Sequence, residues 1–372
     1  MAWGNPGVSK KLRISNGVVT PGVGGSPNNV PIQQTGILEG LTLLASGSAT
    51  ITNGTGTSAK DVLGPWNVLT NVTLAPNQQA PIVNLSGYGL YLANVMRGAE
   101  EDFPRTPDTM VVSETSAASS ADAFNFPSAT GTLRFYERIP IVQRIRSLGG
   151  EIGYWPLQNP AMQLALGYTL NSATAATPYS IASATAGNSP YLVTGNATVT
   201  WTAPQFDVMR NMYQVPANAA DFPPFQFVST WIEEQPQGAS IGGASSFTWQ
   251  ATPLSGLLAR IGLFIFDSNA NAGIANATLN LSNSLQLTYD ANTVKFSESS
   301  YEALQRMHGL YEFLPPQGCF IYDLLGSQLT LQDTLNTSTT ANIKVTVNTS
   351  AALGATSSAK IIRQIISPLE VK

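Results

Sequence analysis

The sequence predicts an all-β protein: two β-sandwiches in tandem, each carrying one short helix. Three observations carry this. Short runs of alternating apolar and polar residues recur along the whole chain, with turn residues between them. Glycine and proline supply 32 and 24 of the 372 residues, dense punctuation of the kind that separates strands. The two halves also run in one order: strand, long strand, insertion, short capped helix, Pro-bearing strand, alternating final strand. The helices close with Met96-Arg97-Gly98 and with Met307-His308-Gly309, 211 residues further on.

Residues 1–32, rich in Gly, Pro, Asn and Ser and without a period, read as an N-terminal arm bearing Lys10, Lys11 and Arg13. The first sandwich is expected over 33–205. Its first strand leads from Ile37, Leu41 and Leu43 to the Asn53-Gly54 turn. A second, over 66–74, places Val68, Val72 and Leu74 at even spacing. A helix follows over 86–98, capped by Ser86 and stopped by Gly98, with Leu92, Val95 and Met96 on one side. Polar insertions at 99–130 and 171–195 flank strands at 132–142 and 162–170, and 197–201 closes the block. Residues 206–224, with Pro216, Pro223 and Pro224 around an apolar, helix-like 206–213, read as a connector.

The second sandwich is expected over 225–352, with strands at 225–232, 247–250, 257–266, 277–287, 318–325 and 343–347. Its helix opens on the capping box Ser299-x-x-Glu302, puts Tyr301, Leu304 and His308 on one face and ends at Gly309. Residues 353–372 read as a tail carrying Lys360, Arg363 and Lys372.

Composition narrows the function. Charged residues are 11% of the chain, under half of the roughly 25% of an average soluble domain. With a net charge of only −4, self-repulsion is weak, and the surface is expected to be hidden against further copies. One cysteine, Cys319, excludes an intrachain disulfide and a cysteine-rich metal cluster; one histidine, His308, excludes a paired-histidine metal site. No apolar run reaches the roughly 18 residues of a spanning helix. Residues 1–15 lack the apolar core of a secretion signal, so synthesis in the cytosol is expected.

Candidate chemistry is sparse. Glu233-Glu234 and Glu100-Glu101-Asp102 could contribute to a glycosidase-like acid pair, but neighbouring residues on a strand face opposite ways. Asp267-Ser-Asn-Ala-Asn271 has the opening of a calcium loop without its Gly or closing Glu, leaving a polar turn or a looser ion site. No catalytic, cofactor or metal residues are assigned. Arg138, Arg144 and Arg146 form a third basic group; too few cations cluster for sequence-specific nucleic-acid binding.

Several stretches together resemble a known family. Gly64-Pro-Trp-Asn-Val-Leu-Thr-Asn-Val-Thr-Leu74 followed by Leu85-Ser-Gly-Tyr-Gly-Leu-Tyr-Leu92 is similar to the first-barrel strand and helix of double jelly-roll major capsid proteins of tailless icosahedral viruses, the tectivirus-like, membrane-containing phages among them. Pro253-Leu-Ser-Gly-Leu-Leu-Ala-Arg-Ile-Gly-Leu-Phe264 resembles the corresponding strand of the second barrel. Leu314-Pro-Pro-Gln-Gly-Cys-Phe-Ile-Tyr-Asp323, Asp333-Thr-Leu-Asn336 and Ala341-Asn-Ile-Lys-Val-Thr-Val347 resemble its closing strands.

The resemblance implies two eight-stranded jelly rolls, a homotrimer tiling as a pseudo-hexagonal capsomer in a capsid lattice, and no enzymatic activity. It further implies penton and minor capsid proteins as partners and an internal lipid membrane beneath. Lys10, Lys11, Arg13, Lys360, Arg363 and Lys372 are then the candidates to face membrane or genome. The alternative is a receptor- or carbohydrate-binding spike or adhesin of tandem β-sandwiches, stacking sugars on Tyr154-Trp155.

Overall fold

The computed structural model describes residues 11–368 apart from loop stretches, chiefly 98–110, 113–129, 146–149, 172–178, 186–188, 216–227, 237–240, 251–255, 312–314, 325–333 and 337–341. Sixteen principal strands and two α-helices build it. The first eight strands are β1 (Lys11–Val19), β2 (Asn28–Pro31), β3 (Ile37–Thr52), β4 (Leu69–Pro76), β5 (Val83–Leu85), β6 (Thr130–Pro140), β7 (Leu164–Leu170) and β8 (Thr198–Tyr213), with α1 (Gly87–Arg97) between β5 and β6. The second eight are β9 (Val228–Pro236), β10 (Ser246–Gln250), β11 (Leu257–Asp267), β12 (Leu285–Tyr289), β13 (Thr293–Glu298), β14 (Cys319–Asp323), β15 (Lys344–Asn348) and β16 (Ser358–Pro368), with α2 (Ser300–Tyr311) between β13 and β14.

Pairing shows the duplication directly. In the first half the strands lie in the orders β1-β8-β3-β6 and β2-β7-β4-β5; in the second, β9-β16-β11-β14 and β10-β15-β12-β13. Every strand of the second half holds the place of the strand eight before it, all antiparallel, and each helix falls between the same two strands. Two four-stranded sheets facing one another over a shared core make each half an eight-stranded jelly roll.

Local pattern explains most strands. In β7, Leu164, Leu166, Tyr168 and Leu170 point inward and the residues between them outward. In β8, Phe206, Val208, Arg210 and Met212 do the same. The first barrel is filled by rings: Trp201 lies 6.0 Å from Phe135 and 5.9 Å from Phe206, and Tyr168 5.1 Å from Phe206.

Several expectations are corrected. The arm at 1–32 contains two barrel strands; β1 pairs with β8 and β2 with β7. Its period was hidden because β1 is an edge strand interrupted by a bulge between Ser15 and Val18. The connector does not begin at 206: β8 runs unbroken to Tyr213, and 206–213 is strand, not helix. Pro204 marks a register shift inside it, beside Ala203 at φ 48°. The tail is no tail. β16 lies between β9 and β11, and its isoleucines are buried on both faces, so no alternation shows.

The helices differ too. Every residue of α1 is buried, not one side only. In α2, Ala303 and Met307 point inward while Tyr301 is 57% exposed and His308 is exposed, and the helix passes through Gly309 to Tyr311. Residues 66–68 form a 3₁₀ turn before β4, and Leu285 opens the strand expected from 277. The 171–195 insertion folds back, burying Tyr179, Ile181 and Tyr191. Of the 99–130 insertion, Val111–Val112 pairs with β6; Gly98, Glu100, Glu101, Asp102 and Arg146 lie outside the described residues.

One core residue is out of place by chemistry. Glu137 of β6 sits opposite Leu43, fully buried, on the strand face of Leu133, Phe135 and Ile139, and among the described residues neither carboxyl oxygen has a hydrogen-bond partner. Burial pushes its carboxyl well above the usual carboxylate range. As pH rises from the unfolded-state value of about 4.3, the folded chain keeps a proton that the unfolded chain has lost, so stability falls with rising pH. Glu137→Gln should therefore melt near the parent at about pH 4 and above it at neutral and alkaline pH, measured by thermal melts across that range.

Candidate functional site

The two barrels are joined as one sheet. β5 pairs in parallel with β9, Val83 beside Ile232 and Asn84 beside Glu233, so β2-β7-β4-β5 continues directly into β9-β16-β11. The chain leaves β5, turns at Ser86 and enters α1, which packs on β4 and β6 of its own barrel and on β11, β14 and β16 of the second. Aromatic rings fill the contact. Trp66 stacks on Tyr91 at 4.0 Å, and Tyr88 meets Phe264 of β11 at 4.8 Å. Gly262 lets the helix approach: a Cβ there would stand 2.4 Å from Met96 Sδ. Asn94 ties α1 to β6, donating to the Arg138 carbonyl at 2.8 Å.

The cap of α1 is completed across the seam. Ser86 Oγ accepts the Gly89 N–H at 3.0 Å. Its own N–H and hydroxyl donate to Glu234 Oε2 of β9 at 2.9 and 2.5 Å. Lys360 of β16 donates to Glu234 Oε1 at 2.8 Å and to Ser86 Oγ at 3.2 Å. Burial alone would raise the Glu234 carboxyl; the Lys360 ammonium and the Ser86 donors outweigh it and hold the group below its ordinary value. On the opposite strand face Arg363 of β16 grips Glu233.

Deeper in the same sheet, Arg260 bridges Asp323 at 2.9 Å and Gln364 at 3.0 Å, and in the first barrel Arg138 pairs with Glu39 at 2.8 Å. α2 builds the same cap from its own residues. Ser299 N–H and hydroxyl donate to Glu302 Oε2 at 2.7 and 2.9 Å. At the matching position α1 has Gly89, where a Cβ would stand 2.4 Å from Glu234 Oε2.

The residues singled out by sequence divide accordingly. Lys360 and Arg363 are not free tail cations but the seam's partners for Glu234 and Glu233. Lys11 and Arg13 lie on β1, Arg13 exposed; Lys10 and Lys372 lie outside the described residues. Glu233 and Glu234 face opposite ways, each with its own cation, and form no acid pair. Asp267 closes a turn, accepting from the Asn269 and Gly354 amides at 3.0 and 3.2 Å. Burial pushes the Cys319 thiol up to about 12, so the thiolate is scarce.

Trp155 is no sugar platform: it is 5% exposed and its indole N–H donates to the Met162 carbonyl. Tyr154 packs edge-on against Tyr213 at 5.7 Å. Among the described residues no group of three acidic, histidine or cysteine side chains is placed to hold a metal, and no helix is long and apolar enough to cross a membrane. A cleft of about 490 Å³ beside the cap is lined by Ser86, Tyr88, Lys360, Asn67 and Ser183 among others, with no carboxylate in its described lining. The arrangement is built to hold surfaces together.

The cap gives a direct test. Gly89→Ala would ordinarily gain up to about 1 kcal/mol of helix propensity. Here the methyl group would push Glu234 Oε2 off the Ser86 N–H and hydroxyl, and hydrogen bonds to a charged group are worth about 1.5–3 kcal/mol. A lowered melting temperature is the expected result.

No protein-family profile and no curated protein matches the chain. Solved structures do. The major capsid protein of Sulfolobus turreted icosahedral virus is 13% identical, with 98% of this chain and 97% of that one aligned at a TM-score of 0.61. The Faustovirus major capsid protein is 10% identical over 96% and 90% of the two chains, with a TM-score of 0.60. The major capsid protein of bacteriophage PM2 is 8% identical over 97% and 99%, with a TM-score of 0.52. At these identities it is architecture that is shared, from end to end: the chain has the double jelly-roll fold of viral major capsid proteins.

Proposed function

We propose that the protein is the major capsid protein of a tailless icosahedral virus, a structural virion component without enzymatic activity. The observation that carries this is the end-to-end match of the chain, both barrels together, to viral major capsid proteins. Three copies would set six barrels upright as a pseudo-hexagonal capsomer, which repeats in a shell. Physics supports the reading. Barrels packed flank to flank need surfaces with few charges, because an unpaired charge is costly to bury. This chain supplies only 11% charged residues. Of the two aromatics that the spike or adhesin alternative would stack on sugars, Trp155 is buried and Tyr154 packs against Tyr213.

The finer partners follow from the same reading. Penton and minor capsid proteins would complete the shell, made in the host cytoplasm. The N-terminal cations Lys10, Lys11 and Arg13, with Lys372, would face phosphates of an internal membrane or genome; Lys360 and Arg363 are committed to the seam.

Light scattering after size exclusion tests the core of the proposal. A native mass of about 118 kDa, three copies of 39.3 kDa, or larger shells built from it, is expected. A chain that stays at 39.3 kDa at high concentration overturns it.

A further inference from the structure

The pairing map assigns β5 and β9, the strands that join the barrels, their counterparts eight strands on and eight strands back: β13 and β1. Within one chain these two cannot play the same part, because β13 belongs to the second barrel and β1 to the first. Both are left at sheet ends. β13 terminates β10-β15-β12-β13, and β1 terminates β1-β8-β3-β6, each with no outer partner among the described residues. Such edges present unpaired backbone donors and acceptors.

The exposed apolar side chains mark the same places. Four large hydrophobic residues stand out among the described residues: Ile14 at 39%, Val18 at 61%, Val294 at 54% and Tyr301 at 57%. Ile14 and Val18 are on β1, Val294 on β13 and Tyr301 on the first turn of α2.

The helices tell the same story. α1 is buried along its whole length because the second barrel covers it. α2, its counterpart, buries Ala303 and Met307 and leaves Tyr301, Glu302, Gln305 and His308 exposed. The caps also differ in the required sense. Glu234 on β9 completes the α1 cap from outside, and Gly89 leaves it room. β1, with the sequence KLRISNGVV, has no acid to offer, and α2 supplies Glu302 itself.

We propose that β13 and α2 of one copy dock on β1 of the next copy, repeating between chains the seam that β5 and α1 make with β9 within one. The strands would pair in parallel, as β5 and β9 do. Val294, near the start of β13, then meets the Ile14 end of β1, and Tyr301, just beyond β13, meets the Val18 end. A head-to-tail contact of this kind either closes a ring or runs on as a filament, and three repeats alternate first and second barrels around a ring of six. The inference rests on the trimer reading above and names the surface that makes it.

The experiment pairs cysteines across the expected contact. An Ile14→Cys, Val294→Cys double variant, oxidised in its assembled state, should give a covalent trimer on a non-reducing denaturing gel, and neither single variant should. Val18→Asp and Tyr301→Asp should each shift the native mass from about 118 kDa toward 39.3 kDa while the circular dichroism of the folded barrels persists. A trimer that forms no cross-link and survives both aspartates overturns this surface and leaves the capsid reading standing. A parent chain that is monomeric removes both together. Should the double-cysteine chain fail to fold, the two aspartate variants decide alone.

Discussion

The parallel junction between β5 and β9 is the constraint on which the rest of the molecule depends. Every pairing among the principal strands inside either barrel is antiparallel, and each barrel closes its own core. The junction forces two closed units to share a sheet and sets their register at Val83–Ile232. It brings Ser86 within reach of Glu234 and Lys360, and it lays α1 across the second barrel. The β5–β9 pairing itself is short, covering two residue pairs. Its hold comes from the apolar faces of α1 and from charges fixed around it, since a parallel ladder of that length contributes little alone.

Where the charges sit is the second theme. A chain with few ionisable groups spends many of them inside or at the seam: Glu39 with Arg138, Arg260 with Asp323, Glu233 with Arg363, Glu234 with Lys360. Buried pairs add little net stability over well-packed apolar residues, but losing one partner strands the other in a dry environment. They act here as register keys, because a slipped strand would leave a charge without its mate. Glu137 obeys the opposite logic: among the described residues its carboxyl has no hydrogen-bond partner, and burial pushes it well above the usual carboxylate range. Ser, Thr, Asn and Gln, abundant in the sequence, can satisfy hydrogen bonds across a contact without the cost of burying charge.

A rigid pair of barrels suits a building block. The shared sheet and the buried helix fix one barrel relative to the other, so a chain carries two equivalent flanks at a set geometry. The internal duplication leaves at two sheet ends the strands β13 and β1, which correspond to the joined strands β5 and β9.

The sequence by itself determined the all-β class, the tandem order, both helix positions and the Ser299–Glu302 cap. These are local matters of alternation, turn residues and capping, and they show in short windows; β7 and β15 follow their patterns residue by residue. Residues 1–32 and 353–372 misled because β1 is bulged and β16 is apolar on both faces, so neither strand shows the alternation that signals one. Gly89 carried a faint trace of the seam, as the acid missing from Ser86-x-x-Gly89 beside Ser299-x-x-Glu302. Only the tertiary structure decided that Glu234 fills that place, that Lys360 and Arg363 belong to the seam, and that α1 is covered all round while α2 keeps one face exposed. The reason is distance along the chain: Ser86 and Lys360 are 274 residues apart, and no local pattern encodes a contact made by two folded barrels meeting.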